Sequence, residues 1–188
     1  MARQTTSNPI RSILISAAIA AAGLGGAASL ITESEGYSPA TYVDPLGIPT
    51  ICRGATDKAL VAKGRATIEE CDKQTWKDIQ VAEATVKRCA PVTMTQGELN
   101  AWTSFAYNVG PGGKRRKDGF CMLRSGAKPK FLKLLLQQPA TLAVRKAACY
   151  QLFSWTQPGT SVHNGLMNRR TKEYAMCITD LNRLEGNL

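Results

Sequence analysis

Glu35-Gly36-Tyr37-Ser38-Pro39-Ala40-Thr41-Tyr42-Val43-Asp44-Pro45-Leu46-Gly47-Ile48-Pro49-Thr50 is the stretch on which the reading of this chain turns. Short apolar runs alternate with Gly, Pro and Thr, so residues 36–57 read as a small irregular sheet or hairpin set. Asp44-Pro45-Leu46-Gly47 has Pro at the second position and Gly at the fourth, a good turn. Glu35 and Asp44 stand on either side of this turn-rich stretch and are expected to face each other across a small cleft. Their settings differ: Glu35 follows the most apolar segment of the chain, which would favour a protonated acid, while Asp44 sits in a polar turn. Two carboxylates in unlike environments are what glycoside hydrolysis requires, one to donate a proton and one to remain ionised. The Thr50 hydroxyl adds a group able to hold a water. The same three residues also fit plain solvated surface groups.

Upstream, Ser12–Ile31 is twenty residues without a charge, the length that spans a bilayer core as a helix. Arg3 and Arg11 precede it and no Asp or Glu occurs before Glu33, which favours a cytoplasmic amino terminus with the body delivered outward. Gly23, Gly25, Gly26 and many Ala dilute its hydrophobicity. A cleaved signal peptide, with Ala27-Ala28-Ser29 near the cut, is one reading. A permanent anchor would want more Leu, Ile or Phe. The weak hydrophobicity favours a signal-anchor that inserts and later leaves uncleaved. A buried amphipathic helix is a fourth reading, weakened by the absence of a polar face. The expected organisation is a membrane-seeking segment over residues 1–31 and one folded domain over 32–188.

Downstream, helical signals dominate. Thr67-Ile-Glu-Glu70 and Thr95-Gln-Gly-Glu98 are capping boxes opening helices, the first running to about Lys87 and the second through Trp102 and Phe105. Lys130–Leu136 and Thr141–Phe153 read as shorter helices separated by Pro139, and Leu166–Leu184 as the last, with Tyr174, Cys177 and Leu181 inward. The fold class is α+β, mainly α: a small β-rich lobe and a larger helical lobe.

A formal net charge of +10 points to polyanions: nucleic acid, anionic lipid or an acidic wall polymer. Lys114-Arg115-Arg116-Lys117 is the densest basic run; it reads as a solvated loop, or as a contact for anionic wall or lipid. No aromatic lies within it, which argues against nucleic acid. Six cysteines, none in a Cys-x-x-Cys pair, with His163 as the sole histidine, argue against a metal site and for disulfides in an oxidising compartment. No cofactor is implied.

Glu35-Gly36, Tyr42-Val43-Asp44, Gly47 and Thr50-Ile51-x-x-Gly54 resemble the catalytic signature of the phage T4-type lysozymes, glycoside hydrolase family 24, with eight residues between Glu and Asp and five between Asp and Thr. Ser104-Phe-Ala-Tyr-Asn-Val-Gly110, Trp155 and Gly165-Leu-Met-Asn-Arg-Arg170 agree, and the amino terminus is most similar to signal-arrest-release endolysins. The resemblance implies a lysozyme-like fold and a muramidase acting on the β-1,4 bond between N-acetylmuramic acid and N-acetylglucosamine in peptidoglycan, with inversion. It implies Glu35 as general acid, Asp44 and Thr50 as the groups positioning water, Asn108 as a glycan contact, and Arg169 or Arg170 as a partner of Glu35. Glu33 is the rival acid but breaks the spacing. Ala55 stands where the family usually has His, and Pro49 before Thr50 is atypical.

Against that fold, Cys52 with Cys71 would clamp the active-site lobe to the helical body, and Cys89 with Cys121 and Cys149 with Cys177 are natural partners, among fifteen possible pairings. The implied setting is the host inner membrane, contacted through residues 12–31, followed by release to the periplasm. A holin or pinholin is the implied functional partner, and the enzyme a monomer that does not bind nucleic acid. Alternatives are a lytic transglycosylase, which needs only the Glu, a Cys-His peptidase or amidase, and a non-enzymatic cationic membrane disruptor.

Overall fold

A computed structural model describes residues 23–44 and 47–186. In chain order the elements are α1 (Gly25–Ser34), β1 (Ser38–Val43), β2 (Pro49–Cys52), α2 (Lys58–Ala62), α3 (Ile68–Cys89), α4 (Gln96–Val109), α5 (Lys130–Leu135), α6 (Leu142–Tyr150), a 3-10 turn (Gln151–Trp155) and α7 (His163–Glu185). Residues 12–22 of the uncharged segment, Arg3, Arg11 and the central pair of the Asp44–Gly47 turn lie outside the described residues.

β1 and β2 form one antiparallel pair, with Tyr42 opposite Thr50 and Val43 opposite Pro49. The turn between them is held by Asp44: its carbonyl accepts the Gly47 N–H at 2.9 Å and its carboxylate accepts the Ile48 N–H at 2.8 Å. An Asp at the first position of a turn makes such bonds to backbone two to four residues on, which fixes the carboxylate as well as the chain.

Both capping boxes form. Thr67 Oγ1 accepts the Glu70 N–H at 3.2 Å while the Glu70 carboxylate accepts the Thr67 N–H at 2.9 Å. Thr95 and Glu98 reciprocate in the same way at the start of α4. Each pairing satisfies two orphan donors of a helix start, so these starts fall where the sequence placed them. The expected Thr141–Phe153 helix instead ends as α6 at Tyr150 and tightens into the 3-10 turn.

α4 is the central helix, with α7, α3 and α1 packed around it. Trp102 of α4 stacks on Phe131 of α5 at 4.9 Å between ring centroids and meets Phe105 and Phe120 edge-on. All four rings are fully buried, each side chain of this size contributing about 1.5–3 kcal/mol. Disulfides join Cys52 to Cys71, Cys89 to Cys121 and Cys149 to Cys177. The first ties β2 to α3; the last ties α6 to α7.

α1 is the unexpected element. It occupies the second half of the uncharged segment and runs through position 31, yet it is packed against the helical body. Leu24, Ala27, Leu30 and Ile31 are buried, and Leu24, Ala27 and Ile31 cluster with Ile79 of α3. Their spacing is the stripe of an amphipathic helix. The polar face missing from the sequence pattern is supplied by residues with almost no side chain: Gly25 and Ser29 lie outward. Gly26 faces inward, where a Cβ would stand 2.8 Å from Asn100 Nδ2 and 3.1 Å from Met176 Sδ, so its lack of a side chain lets α1 approach α4 and α7. No helix among the described residues is long and apolar enough to cross a membrane.

Candidate active site

Glu35 is the first residue past α1, its N–H donating to the Ile31 carbonyl at 2.8 Å. Its side chain, 23% exposed, is not in an apolar pocket as its sequence neighbours suggested: Arg169 Nη1 of α7 donates to Oε1 at 2.5 Å. On its other side the β2–α2 loop comes close enough that a Cβ at Gly54 would lie 3.4 Å from Oε2. Glu35 is therefore gripped between the α1 end, α7 and the backbone of Gly54.

Of the two candidate arginines, the structure brings Arg169 to Glu35. Arg170 points elsewhere, because adjacent helical residues project about 100° apart. Arg170 is fully buried, donates to Asn108 Oδ1 and to Glu173, and lies over the Phe105 ring at 4.7 Å. Burial pulls its pKa down to about 10, opposed by the Glu173 charge, and it remains a cation at neutral pH. Both guanidinium groups share Glu173, which also accepts from Ser104 Oγ at 2.7 Å and from Arg169 Nε at 3.1 Å. Glu173 was not singled out in the sequence. Its signal is Arg169-Arg170-x-x-Glu173, an i,i+3 and i,i+4 pairing on one helix.

Asp44 and Thr50 lie at the tip of the β1–β2 hairpin. Thr50 is 3% exposed and its hydroxyl donates to the Ile48 carbonyl at 2.9 Å. Tyr42, opposite Thr50, joins the two carboxylates electrostatically: burial first, then the charges of Glu35 and Asp44, raise its hydroxyl above the usual tyrosine value. Tyr107 of α4 is raised further, by burial and then by Asp78 and Glu35, and its hydroxyl donates to the Arg53 carbonyl at 2.8 Å.

Glu33, the rival acid in the sequence, has a different setting from Glu35. It is exposed and paired with Lys172 at 2.8 Å, and this bond, with another from Ser29, holds its carboxyl below the usual range. A cavity of about 490 Å³ is lined by Glu33, Glu35, Asn108, Arg169 and Lys172. A second, of about 370 Å³, is lined by Gly54, Ala55, Asp57, Asp78 and Tyr107. Gly54 of the second cavity approaches Glu35 of the first, a Cβ there lying 3.4 Å from Oε2. His163 is apart from this chemistry, its Nδ1 within 2.9 Å of the Thr156 carbonyl.

All six cysteines are in disulfides, which leaves no thiol for a Cys-His peptidase. No group of His, Cys, Asp or Glu among the described residues has a metal-holding arrangement.

The family described as phage lysozyme matches residues 32–173. The SAR-endolysin of Pseudomonas phage phiKMV is 35% identical over 162 residues, spanning 84% of this chain and 89% of that protein. The SAR-endolysin of Enterobacteria phage P21 is 28% identical over 170 residues, spanning 87% and 93%. In fold, the chain is similar to the active form of the P1 phage endolysin Lyz, with a TM-score of 0.69 at 22% identity over 91% of this chain and 94% of that one.

Proposed function

The chain belongs to the phage lysozyme family, and on that footing we propose that it is an endolysin that hydrolyses the β-1,4 bond between N-acetylmuramic acid and N-acetylglucosamine in peptidoglycan. What supports this reading is the phage lysozyme family match together with Glu35, held by Arg169 at 2.5 Å, lining a cavity with Asn108 and Arg169. Glu35 gives its proton to the glycosidic oxygen as the bond to the anomeric carbon breaks. Water adds to that carbon from the opposite face, and Asp44, with the Thr50 hydroxyl, orients the water and takes up its proton. The products are a hemiacetal of inverted configuration and a free hydroxyl on the next sugar. Arg169 holds Glu35 at the end of α1, and Glu173 holds Arg169.

The same reading has an inactive, membrane-tethered stage. Leu24, Ala27, Leu30 and Ile31 are buried against protein in the folded enzyme, and in a tethered form they would be buried in lipid. They cannot be in both, and Glu35 follows directly on that helix. A tethered chain therefore lacks an assembled site. Arg3 and Arg11 each gain about 2.3 kcal/mol per 100 mV if kept on the cytoplasmic side, so collapse of the potential, for example by a holin, favours release.

The test is product analysis on purified glycan strands. A new reducing end, first seen as the α-anomer by NMR, is the expected product. An anhydro-muramoyl end would instead make the enzyme a lytic transglycosylase, and a β-anomer would replace inversion by retention.

A further inference from the structure

Residues 114–133 carry Lys114, Arg115, Arg116, Lys117, Arg124, Lys128, Lys130 and Lys133 against Asp118 alone, a net +7 of the chain's +10. All eight cations are exposed. Among the described residues none of them enters an ion pair. Asp118 is occupied locally, its carboxylate accepting the Arg124 N–H at 2.6 Å.

The surface is built rather than loose. Cys121 is bonded to Cys89 at the end of α3, and Phe120 and Phe131 are fully buried. Gly112 and Gly119 cross so closely that a Cβ on Gly119 would fall 2.1 Å from the Gly112 nitrogen. The Arg115 N–H donates to the Arg124 carbonyl at 2.9 Å, which sets two like charges on facing segments of the loop. Lys130 and Lys133 share the outer face of α5, whose other side enters the core. Like charges held together on a stiff frame repel one another, and that cost is recovered when a dense anion covers them.

We propose that this surface docks onto the headgroups of an anionic lipid bilayer. Polybasic clusters of this size are drawn to such membranes with a contribution from each cation. Met122, 38% exposed within the array, offers an apolar side chain to the interfacial region. The aromatics of the segment, Phe120 and Phe131, are both buried, so it lacks the stacking platform of a single-strand nucleic-acid site. On the proposed tethered stage, the uncharged Ser12–Ile31 segment of the same chain would bring this surface to a membrane.

The experiment uses the full chain with phosphatidylcholine vesicles and with vesicles in which a third of the lipid is phosphatidylglycerol. Any apolar contribution of the uncharged segment is common to both, so the readout is the ratio of the two affinities. The triple variant Lys114→Gln/Arg116→Gln/Lys117→Gln is expected to lose at least about tenfold of that ratio. Lys128→Gln/Lys130→Gln/Lys133→Gln, outside the 114–124 loop, should do the same and stands in if the first fails to fold. The control Lys58→Gln/Lys73→Gln/Lys77→Gln removes as many charges from exposed positions on α2 and the opposite half of α3 and should keep the ratio. An unchanged ratio in either basic-surface triple, or an equal loss in the control, overturns the proposal. So does a DNA duplex or soluble polyphosphate that strips the wild type from the anionic vesicles at matched phosphate, which would make the surface a general polyanion contact.

Discussion

Arg169 on α7 holds Glu35, 134 residues away in sequence, with a 2.5 Å ion pair, and is itself held by Glu173 one helical turn further along. The proposed acid is thus fixed to the buried charge cluster of the helical lobe rather than to the hairpin that carries Asp44.

Glu35→Gln keeps the shape and hydrogen-bonding capacity of the side chain and removes its proton. Turnover on peptidoglycan is expected to fall by about a thousandfold, within the usual worth of a general acid, with the melting temperature nearly unchanged. Wild-type turnover in this variant would end the assignment, and lysis without turnover would favour a cationic membrane disruptor.

Glu173→Gln leaves two buried guanidinium groups without their shared counter-charge. Breaking a buried pair costs about 3–5 kcal/mol, which for a domain of this size lowers the melting temperature by roughly 10 °C. Thermal denaturation at neutral pH measures this. The turnover lost should be recovered in part on cooling, since the variant keeps every group proposed to touch substrate.

Asp78, which lines the same cavity as Ala55, has its carboxyl raised above 3.8, by burial first and further by the Asp57 charge; a bond from Gln74 opposes the rise. The ionised form is therefore disfavoured in the folded state. Its contribution to stability is fully present below the unfolded value and is lost as pH rises through the folded one. Asp78→Asn should raise the melting temperature at neutral pH, with the gain vanishing below the ordinary aspartate range. An equal gain at both pH values would show that charge is not the cause.

Gly25→Leu with Ser29→Leu adds apolar surface to the outward face of α1, where Gly25 meets nothing within 4 Å. The expected result is a larger membrane-retained fraction, less lysis and an unaltered melting temperature of the detergent-free enzyme. Gly26→Leu should instead destabilise the fold by about 1–3 kcal/mol through overpacking against Asn100 and Met176. Cell fractionation with thermal melting separates the two effects. If Gly25→Leu/Ser29→Leu lysed cells while remaining in the membrane, retention and inactivity would not be coupled.

Much of this molecule was legible because its signals are local. The two Thr-x-x-Glu boxes fixed the starts of α3 and α4, and the turn residues at Asp44 and Gly47 fixed the hairpin. What was hidden depends on where distant surfaces meet. A run of Gly, Ala and Ser shows no polar face by composition, so only the packing against Ile79 and Asn100 reveals which side of α1 is inward. Neighbouring arginines look equivalent in sequence, and only the angle between them on α7 assigns Arg169 to Glu35. The expected apolar setting of Glu35 failed for a related reason: the flank that is apolar in sequence belongs to a helix that ends before it.

Gly26 also limits how such a protein can change. On the proposed reading, a residue small enough to admit Asn100 is also one that hydrocarbon grips weakly. Improving the fit of the folded enzyme at this position and loosening its hold on the bilayer are then a single substitution, not two. A lineage that adjusts the timing of lysis has free choice on the Gly25 side of the helix and almost none on the Gly26 side.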